Sequence, residues 1–302
     1  MEKSKTRQIL CVILLIFSLN YAAAQNQKLS VQYEELTAPD FVKASELSGK
    51  ICIIPMGILE KHGPHLPLGT DMLDAREIAL RAAKIEYAVV FPQYYFGQIY
   101  EAKHQPGTIA YSAELVWKML EETCDELGRN GFKKIVLVNG HGGNNSFVQY
   151  FCQTRLEKKK DYAVILFSDY DDPEIDKKIQ ALRKTKGGGH ADEVETSMLF
   201  SHRPDLVHVD RAKEQSGEDL NRLTNIKNGY TGIWWYAKYP NHYAGDGSVA
   251  SKEIGDLAIN SSVNQLVELL KSLKTDKTIL ELQDEFYKKG ENPLQTKQKQ
   301  EK

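Results

Sequence analysis

Residues 57–71 concentrate side chains that bind divalent metals. They include two carboxylates, Glu60 and Asp71, and two imidazoles, His62 and His65. Nitrogen and oxygen ligands of this kind suit zinc, manganese and iron. Because the side chains of an extended segment alternate between its two faces, Glu60 and His62 are expected to project from the same face. The segment predicts a metal site, although a single Glu-x-His pair would also fit an ordinary polar surface loop.

Two further segments offer side chains of the same types. His141 lies between glycines in the run Asn-Gly-His-Gly-Gly-Asn at residues 139–144, and glycine lets the backbone approach a ligand closely. Residues 190–197 contribute one imidazole, His190, and three carboxylates. Carboxylates are also favoured at the start of a helix, so this third segment alone fits either a site or a helix start. The three segments together favour a metal site.

Apolar runs and amphipathic stretches alternate along the chain. Near-continuous apolar strands are typical of a sheet buried on both faces, and their alternation with helices indicates a parallel α/β sheet with helices on both sides. The expected strands cover residues 51–56, 87–91, 134–139 and 162–167. The expected helices cover residues 74–84, 112–130, 146–158, 194–201 and, as the last helix, 256–273.

The polar segments follow two of the expected strands. Residues 57–71 come directly after the first strand, and the glycine-rich run around His141 follows the third. Ligands of open α/β sheets bind at the carboxyl ends of the strands. The periodicity and the side-chain chemistry therefore point to the same edge of the sheet.

The motifs resemble those of the creatininase (creatinine amidohydrolase) family. Residues 55–71 read Pro-Met-Gly-Ile-Leu-Glu-Lys-His-Gly-Pro-His-Leu-Pro-Leu-Gly-Thr-Asp and are similar to the family signature. The segments 139–144 and 190–197 are similar to its second and third motifs, and Gly-Asp-Gly at 245–247 resembles a late one. The resemblance covers roughly residues 35 to 272. It implies a single three-layer α/β/α domain with a mainly parallel sheet.

The resemblance also implies two divalent metal ions per chain. Glu60, Asp71 and His141 match the ligands of one ion, and His62 and Asp71 match those of the other, with Asp71 bridging. Zinc is the first choice of metal, and manganese and iron are the alternatives.

The second metal position departs from the family pattern. Creatininase has a glutamate ligand where this chain has Gly143. Glu195, in the third motif, is the best candidate to replace it. The resemblance makes His190 and Glu195 the candidate catalytic residues, and His190 could pass a proton to the leaving nitrogen or orient a ligand.

The implied reaction is hydrolysis of a cyclic or non-peptide amide, as in creatinine, by a water that two metals activate. Tryptophans that line the creatininase pocket are absent from the matching stretches. Trp234 and Trp235 could serve a pocket, or they could pack in the interior or at an interface. The alternatives are a metallopeptidase, a deformylase or a lactonase on the same metals, or a non-catalytic protein that only binds a ligand.

The remaining histidines have weaker assignments. His65 is expected to orient a ligand, and His104 is expected to line the pocket or a subunit contact. Three others have no motif support, and surface or packing roles are expected for them: His202, His208 and His242.

Residues 1–24 are expected to be a signal peptide. A basic start is followed by an apolar run over residues 9–19 and by Ala-Ala-Ala at 22–24, which is the layout of a secretory signal. The run is about half of the ~20 residues that span a bilayer, so no stable membrane anchor is expected after cleavage. The protein is then periplasmic or secreted, with a catalytic domain over residues 25–292 and a polar tail over 293–302.

The composition limits the classes of partner that the sequence predicts. A net charge of -2 and a pI near 6.5 give no basic footprint for nucleic acid, so the expected partner is a small-molecule amide. The resemblance adds a homo-oligomer, with a hexamer as the common family form. Cys52, Cys124 and Cys152 have no Cys-x-x-Cys spacing and are expected to be buried thiols.

Overall fold

A parallel four-stranded sheet organises the computed structural model, which describes residues 29–168 and 172–297. The strands follow the order β2-β1-β3-β4 across the sheet. Their bounds are β1 Ile51–Met56, β2 Val89–Val90, β3 Lys134–Asn139 and β4 Ala163–Phe167. The signal-peptide prediction falls outside the described residues.

Nine helices of the described ranges surround the sheet. They are α1 Ala38–Leu47, α2 Thr70–Ile85, α3 Ala113–Arg129, α4 Asn145–Thr154, α5 Pro173–Leu182, α6 Glu193–His202, α7 Trp234–Lys238, α8 Lys252–Thr275 and α9 Thr278–Gly290. None of them is long and apolar enough to cross a membrane.

The side chains of β1 show how three layers form. Successive residues of a strand point to opposite faces. Ile51 and Ile53 pack in a core with residues of α2 and α8, whereas Cys52 and Ile54 pack in a second core with residues of α3 and α4. Both faces of the strand are therefore buried, and the prediction of a three-layer α/β/α domain with a mainly parallel sheet is confirmed.

The register of the sheet places the loop after β1 beside the loop after β3. β1 lies between β2 and β3, and Met56 at the end of β1 pairs with Asn139 at the end of β3. Since the two strands are parallel, the loops that follow them leave the sheet at the same edge. These loops carry the first two polar segments of the sequence.

Some elements differ from expectation. The strand expected over residues 87–91 is reduced to Val89–Val90, because only these two residues pair with β1. The helix of residues 256–273 exists within α8, but the prediction that it is the last helix is wrong. α9 follows it and has no buried residue, although its apolar residues Ile279, Leu282 and Phe286 recur at helical spacing. α1 and α5 were not predicted either.

The three cysteines of the described chain behave as packing residues. All are free thiols, with Cys52 and Cys124 buried and Cys152 half-buried. Burial raises the pKa of the Cys52 and Cys124 thiols above the usual range and that of Cys152 to about 11. The prediction of unpaired, packed thiols is confirmed for Cys52 and Cys124.

Candidate metal centre

The loop after β1 folds back on itself and delivers two candidate ligands. His62 and Leu66 form an antiparallel bridge, and the Glu60 amide donates to the Leu68 carbonyl at 3.0 Å. The Thr70 hydroxyl then donates to the Pro67 carbonyl at 2.8 Å as α2 begins. Glu60 and His62 are consequently fixed in the loop, while Asp71 follows in the first turn of the helix.

The glycine-rich loop after β3 packs against this helix start. The Gly140 amide donates to the Met56 carbonyl at 2.8 Å. A Cβ atom on Gly140 would lie 2.4 Å from the Asp71 carbonyl oxygen, so glycine is required for the two loops to meet. The Asn139 side-chain amide donates to the His141 carbonyl at 2.7 Å. These contacts hold His141 beside Asp71.

Three side chains converge on one point, and we call them the first cluster. They are Glu60, Asp71 and His141, and all three are buried. His141 Nδ1 lies 2.9 Å from Glu60 Oε1 and 3.1 Å from Asp71 Oδ2. One nitrogen and one oxygen of each carboxylate therefore face each other.

The second cluster shares Asp71 and adds His62 and Glu195. His62 Nε2 lies 2.9 Å from Asp71 Oδ1 and 3.8 Å from Glu195 Oε1. The two oxygens of Asp71 thus face different histidines, His62 on one side and His141 on the other. That is the arrangement that a bridging carboxylate needs.

The separations between these atoms fit metal ligands. Ligands that lie 2.0–2.2 Å from one ion are about 2.8 to 3.6 Å apart in tetrahedral or octahedral geometry. Separations of 2.9, 2.9 and 3.1 Å lie within this range, and the 3.8 Å between His62 and Glu195 is slightly longer. Glu60 Oε1, Asp71 Oδ2 and His141 Nε2 are buried without a hydrogen-bond partner. Buried polar atoms are normally satisfied, so both oxygens of the first cluster have room for a cation.

The pKa shifts of the clustered side chains also indicate a cation site. Burial opposes protonation of His62, but the carboxylates of Asp71 and Glu195 outweigh it and raise the pKa of His62 to about 10. Burial likewise opposes protonation of His141, and Glu60 nevertheless holds its pKa well above the usual value. Burial raises the pKa of Glu195. Three carboxylates in a buried space therefore attract positive charge, which divalent cations would supply.

The third polar segment presents Glu195 through a capped helix start. The Asp192 side chain accepts hydrogen bonds from the amides of Val194 and Glu195 and begins α6. The Ala191 amide, held at a φ of +54°, donates to Glu195 Oε2. Oε1 is left to face His62. Both interpretations of this segment, a helix start and part of a metal site, therefore apply. Asp192 caps the helix, and Glu195 reaches the metal centre.

His190 lies at the wall of the centre. Its Nε2 lies 2.9 Å from the Lys61 carbonyl oxygen. A carbonyl can only accept, so Nε2 carries the proton and Nδ1 is the free acceptor of the neutral ring. His190 borders a cavity of about 270 Å³ together with the first cluster, Glu195 and the pair Trp234 and Trp235. The two tryptophans therefore line a pocket.

His242 also belongs to this centre. Of the surface and packing roles expected for it, the surface role is wrong, because its side chain is buried. Its Nε2 donates to Glu60 Oε2, and its Nδ1 accepts from the indole N–H of Trp235 at 2.9 Å. Burial lowers the pKa of His242. Little in the sequence indicates this contact, since His242 is separated from Glu60 by 182 positions and is an isolated histidine. Its place three residues before the Gly-Asp-Gly motif at 245–247 is the available signal.

The other histidines lie outside the two clusters. His65 Nε2 donates to the Thr196 hydroxyl, in the third segment, at 2.9 Å. His202 pairs with Asp74 at 2.7 Å, and His208 is exposed. His104 Nε2 donates to the Pro240 carbonyl at 2.8 Å and borders a separate surface depression.

Gly143 occupies a crowded position beside the first cluster. A Cβ atom there would lie 2.3 Å from His141 Nε2 and 3.0 Å from Gln98 Nε2. A glutamate at this position would therefore displace His141 from its present place. The second cluster is completed by Glu195 from a different segment.

Comparisons with known proteins agree with this geometry. A family model described as Creatininase: Creatinine amidohydrolase matches residues 34–270. A creatinine amidohydrolase of Pseudomonas putida is 29% identical over 199 residues, which cover 60% of this chain and 75% of that relative. A 3-dehydro-scyllo-inosose hydrolase of Thermotoga maritima is 26% identical over 246 residues, 74% of this chain and 77% of the relative. A crystal structure of creatinine amidohydrolase superposes with a TM-score of 0.72 at 21% identity. The superposition covers 83% of this chain and 100% of the creatinine amidohydrolase chain.

The matches define a metal-dependent hydrolase that acts on C–N bonds. The chain belongs to the creatininase family, as its motifs predicted. The family and the clustered histidine and carboxylate ligands support a divalent metal.

Proposed function

We propose that this protein is an exported amidohydrolase that uses two divalent ions to open a cyclic or other small non-peptide amide. One observation carries the proposal. The two ligand clusters share Asp71, whose oxygens face His62 and His141 separately, and Asp71 and Glu195 of the second cluster border the same cavity as the first cluster. An amide held in that cavity would reach both metal positions at once.

The candidate ligands form two sets, one for each ion. Glu60, Asp71 and His141 would hold one ion, and His62, Asp71 and Glu195 would hold the other. When bound, two such ions polarise a carbonyl and lower the pKa of a water toward ~7. Zinc is proposed first, with manganese and iron as alternatives.

His190 is proposed to move the proton. Water adds to the amide carbon, the C–N bond breaks, and the leaving nitrogen must gain a proton. The hydrogen bond from Nε2 to the Lys61 carbonyl fixes the ring and leaves Nδ1 free to accept a proton from the water and deliver it. His190 is also buried, so it acts in an environment with restricted water.

The cavity favours a compact substrate. Its volume of about 270 Å³ lies just below the ~300–1,000 Å³ of typical ligand pockets. The aromatic faces of Trp234 and Trp235 suit a flat ring, such as a cyclic amide, better than an extended peptide. Creatinine is therefore one candidate among small ring amides.

A substrate screen tests the proposal. The protein from residue 25 onward would be loaded with zinc, manganese or iron and offered creatinine, hydantoins, small lactams, lactones, formamides and short peptides. Mass spectrometry would follow hydrolysis, with and without a chelator. We expect chelator-sensitive turnover of a small cyclic or non-peptide amide. Peptide, ester or formamide turnover alone would favour one of the other hydrolase classes, and binding without turnover would favour a ligand-binding protein.

The role of His190 has its own control. His190→Asn should lower kcat by about 10² to 10⁴-fold while metal content stays unchanged. His208→Asn changes an exposed histidine and should leave kcat unaltered. If His190→Asn loses metal instead, His190 orients or binds a ligand and does not move the proton.

Export and assembly are separate proposals. The basic, apolar and small-residue layout of residues 1–24 supports cleavage and a periplasmic or secreted location. Mass spectrometry of the N-terminus after cell fractionation would test this, and a retained segment in the cytoplasm would contradict it. The family resemblance supports a homo-oligomer, which light scattering would measure.

A further inference from the structure

His242 is a buried histidine whose backbone is held in an unusual conformation. Its φ is +50°, in the left-handed region that favours glycine and asparagine. The side chain is 2% exposed. The His242 amide donates to the Tyr239 carbonyl at 2.9 Å, and its carbonyl accepts from the Gly63 amide at 3.3 Å. The chain therefore tolerates a costly backbone conformation and fixes it on both sides.

The partners of the ring determine its tautomer. The indole N–H of Trp235 can only donate, and it lies 2.9 Å from His242 Nδ1. Nδ1 must then be an acceptor, so the proton of the neutral ring is on Nε2. That N–H points at Glu60 Oε2. Trp235 thus makes His242 a donor toward a candidate metal ligand.

The hydrogen bond leaves the two oxygens of Glu60 with different roles. Oε2 is occupied by His242, whereas Oε1 lies 2.9 Å from His141 Nδ1 without a hydrogen bond. A carboxylate fixed by one oxygen presents the other to a metal in a single orientation. Partners that hydrogen-bond to ligands in this way set ligand orientation and metal affinity.

We propose that His242, with its tautomer fixed by Trp235, is a positioning residue that orients Glu60 toward the ion of the first cluster. The inference rests on the proposed two-metal function. His242 also borders the cavity, and its positioning role adds a relay that runs from Trp235 through His242 to Glu60.

Two substitutions separate positioning from packing. In His242→Gln, the amide nitrogen can occupy the place of Nε2 and donate to Glu60. In His242→Asn, the shorter side chain reaches only the place of Nδ1 and cannot contact Glu60. Asparagine tolerates a positive φ better than glutamine. The Asn variant should therefore keep more fold stability, and the Gln variant should keep more metal affinity.

The measurement is metal affinity by chelator competition, together with the melting temperature of the metal-free full chain. We expect His242→Asn to weaken the ion of the first cluster about 10- to 100-fold and His242→Gln to stay within about 3-fold of wild type. Trp235→Phe removes the N–H donor and keeps an aromatic ring, so its affinity should fall between the two. The visible spectrum of each cobalt-loaded variant should differ from that of the wild type, with the smallest difference in His242→Gln and the largest in His242→Asn.

The outcomes are distinct. If metal affinity and melting temperature fall in parallel across the variants, His242 has only a packing role and the inference is overturned. If wild type binds two ions but hydrolyses no substrate, the proposed activity fails while the affinity order still tests the inference. If wild type binds no metal, both are overturned.

Discussion

The first and second clusters share Asp71 but differ in how they are enclosed. In the first cluster, Glu60 and His141 are buried and come from loops that follow neighbouring parallel strands. In the second, the Glu195 side chain is 24% exposed and comes from the start of α6, on a different part of the chain. The first cluster is therefore built into the edge of the sheet, whereas the second depends on a segment that folds over that edge. We expect the two to respond differently to substitution.

Removing Asp71, the ligand that both clusters share, should disrupt both clusters together. Asp71→Ala takes away the oxygens that face both histidines, so we expect less than one tenth of the wild-type metal content and a loss of activity of about 10³-fold or more. Elemental analysis and turnover would measure the two effects. Asp210→Ala removes an exposed carboxylate and should be silent. Unchanged metal content in Asp71→Ala would exclude the bridging role.

Glu195→Gln should break the second cluster alone. The amide keeps the size of the side chain but is a poor metal ligand, so we expect metal content to fall from about two ions to about one and activity to fall about 10²-fold. Glu253 lies at the equivalent first turn of α8 and is exposed, which makes Glu253→Gln a matched control. Two ions retained in Glu195→Gln would show that another side chain completes the second position.

Gly143→Ala should disturb the first cluster. The added Cβ would lie 2.3 Å from His141 Nε2, so the imidazole must shift, and we expect affinity for the first ion to fall about 10-fold. Gly142 is the control, because a Cβ there meets nothing within 4 Å. Equal behaviour of Gly142→Ala and Gly143→Ala in metal titrations would contradict the steric account.

Metal binding should release protons at pH 7.5. This pH lies below the pKa of about 10 that adjacent carboxylates give His62, and the pKa of His141 is also well above its usual value. Both imidazoles are then protonated without metal and must lose the proton to become ligands. We expect at least one proton per ion, and affinity that rises with pH. Calorimetry in buffers of different ionisation enthalpy would measure this, and heats independent of the buffer would contradict it.

The sequence predicted the part of the centre that the sheet itself positions. Apolar runs located β1 and β3, and parallel strands require their following loops to meet at one edge. Glu60, His62 and Asp71 could therefore be placed near His141 from the order of strands and loops along the chain. Their roles as metal ligands stay predictions until metal is measured.

The sequence did not predict the contacts that depend on distant folding. His242 contacts Glu60, and Trp235 contacts His242, only because the chain between α6 and α8 returns to the first loop. No periodic pattern in the sequence indicates that return. α9 was missed although its apolar residues Ile279, Leu282 and Phe286 recur at helical spacing.

The most direct test of the account is the number of metal ions per chain in the purified protein from residue 25 onward, measured by elemental analysis before and after chelator treatment and reloading. The account predicts about two divalent ions per chain, and loss and recovery of hydrolysis with them. A single ion in the reloaded wild-type protein would contradict the second cluster, and a fully folded chain that binds no ion would contradict the metal centre as a whole.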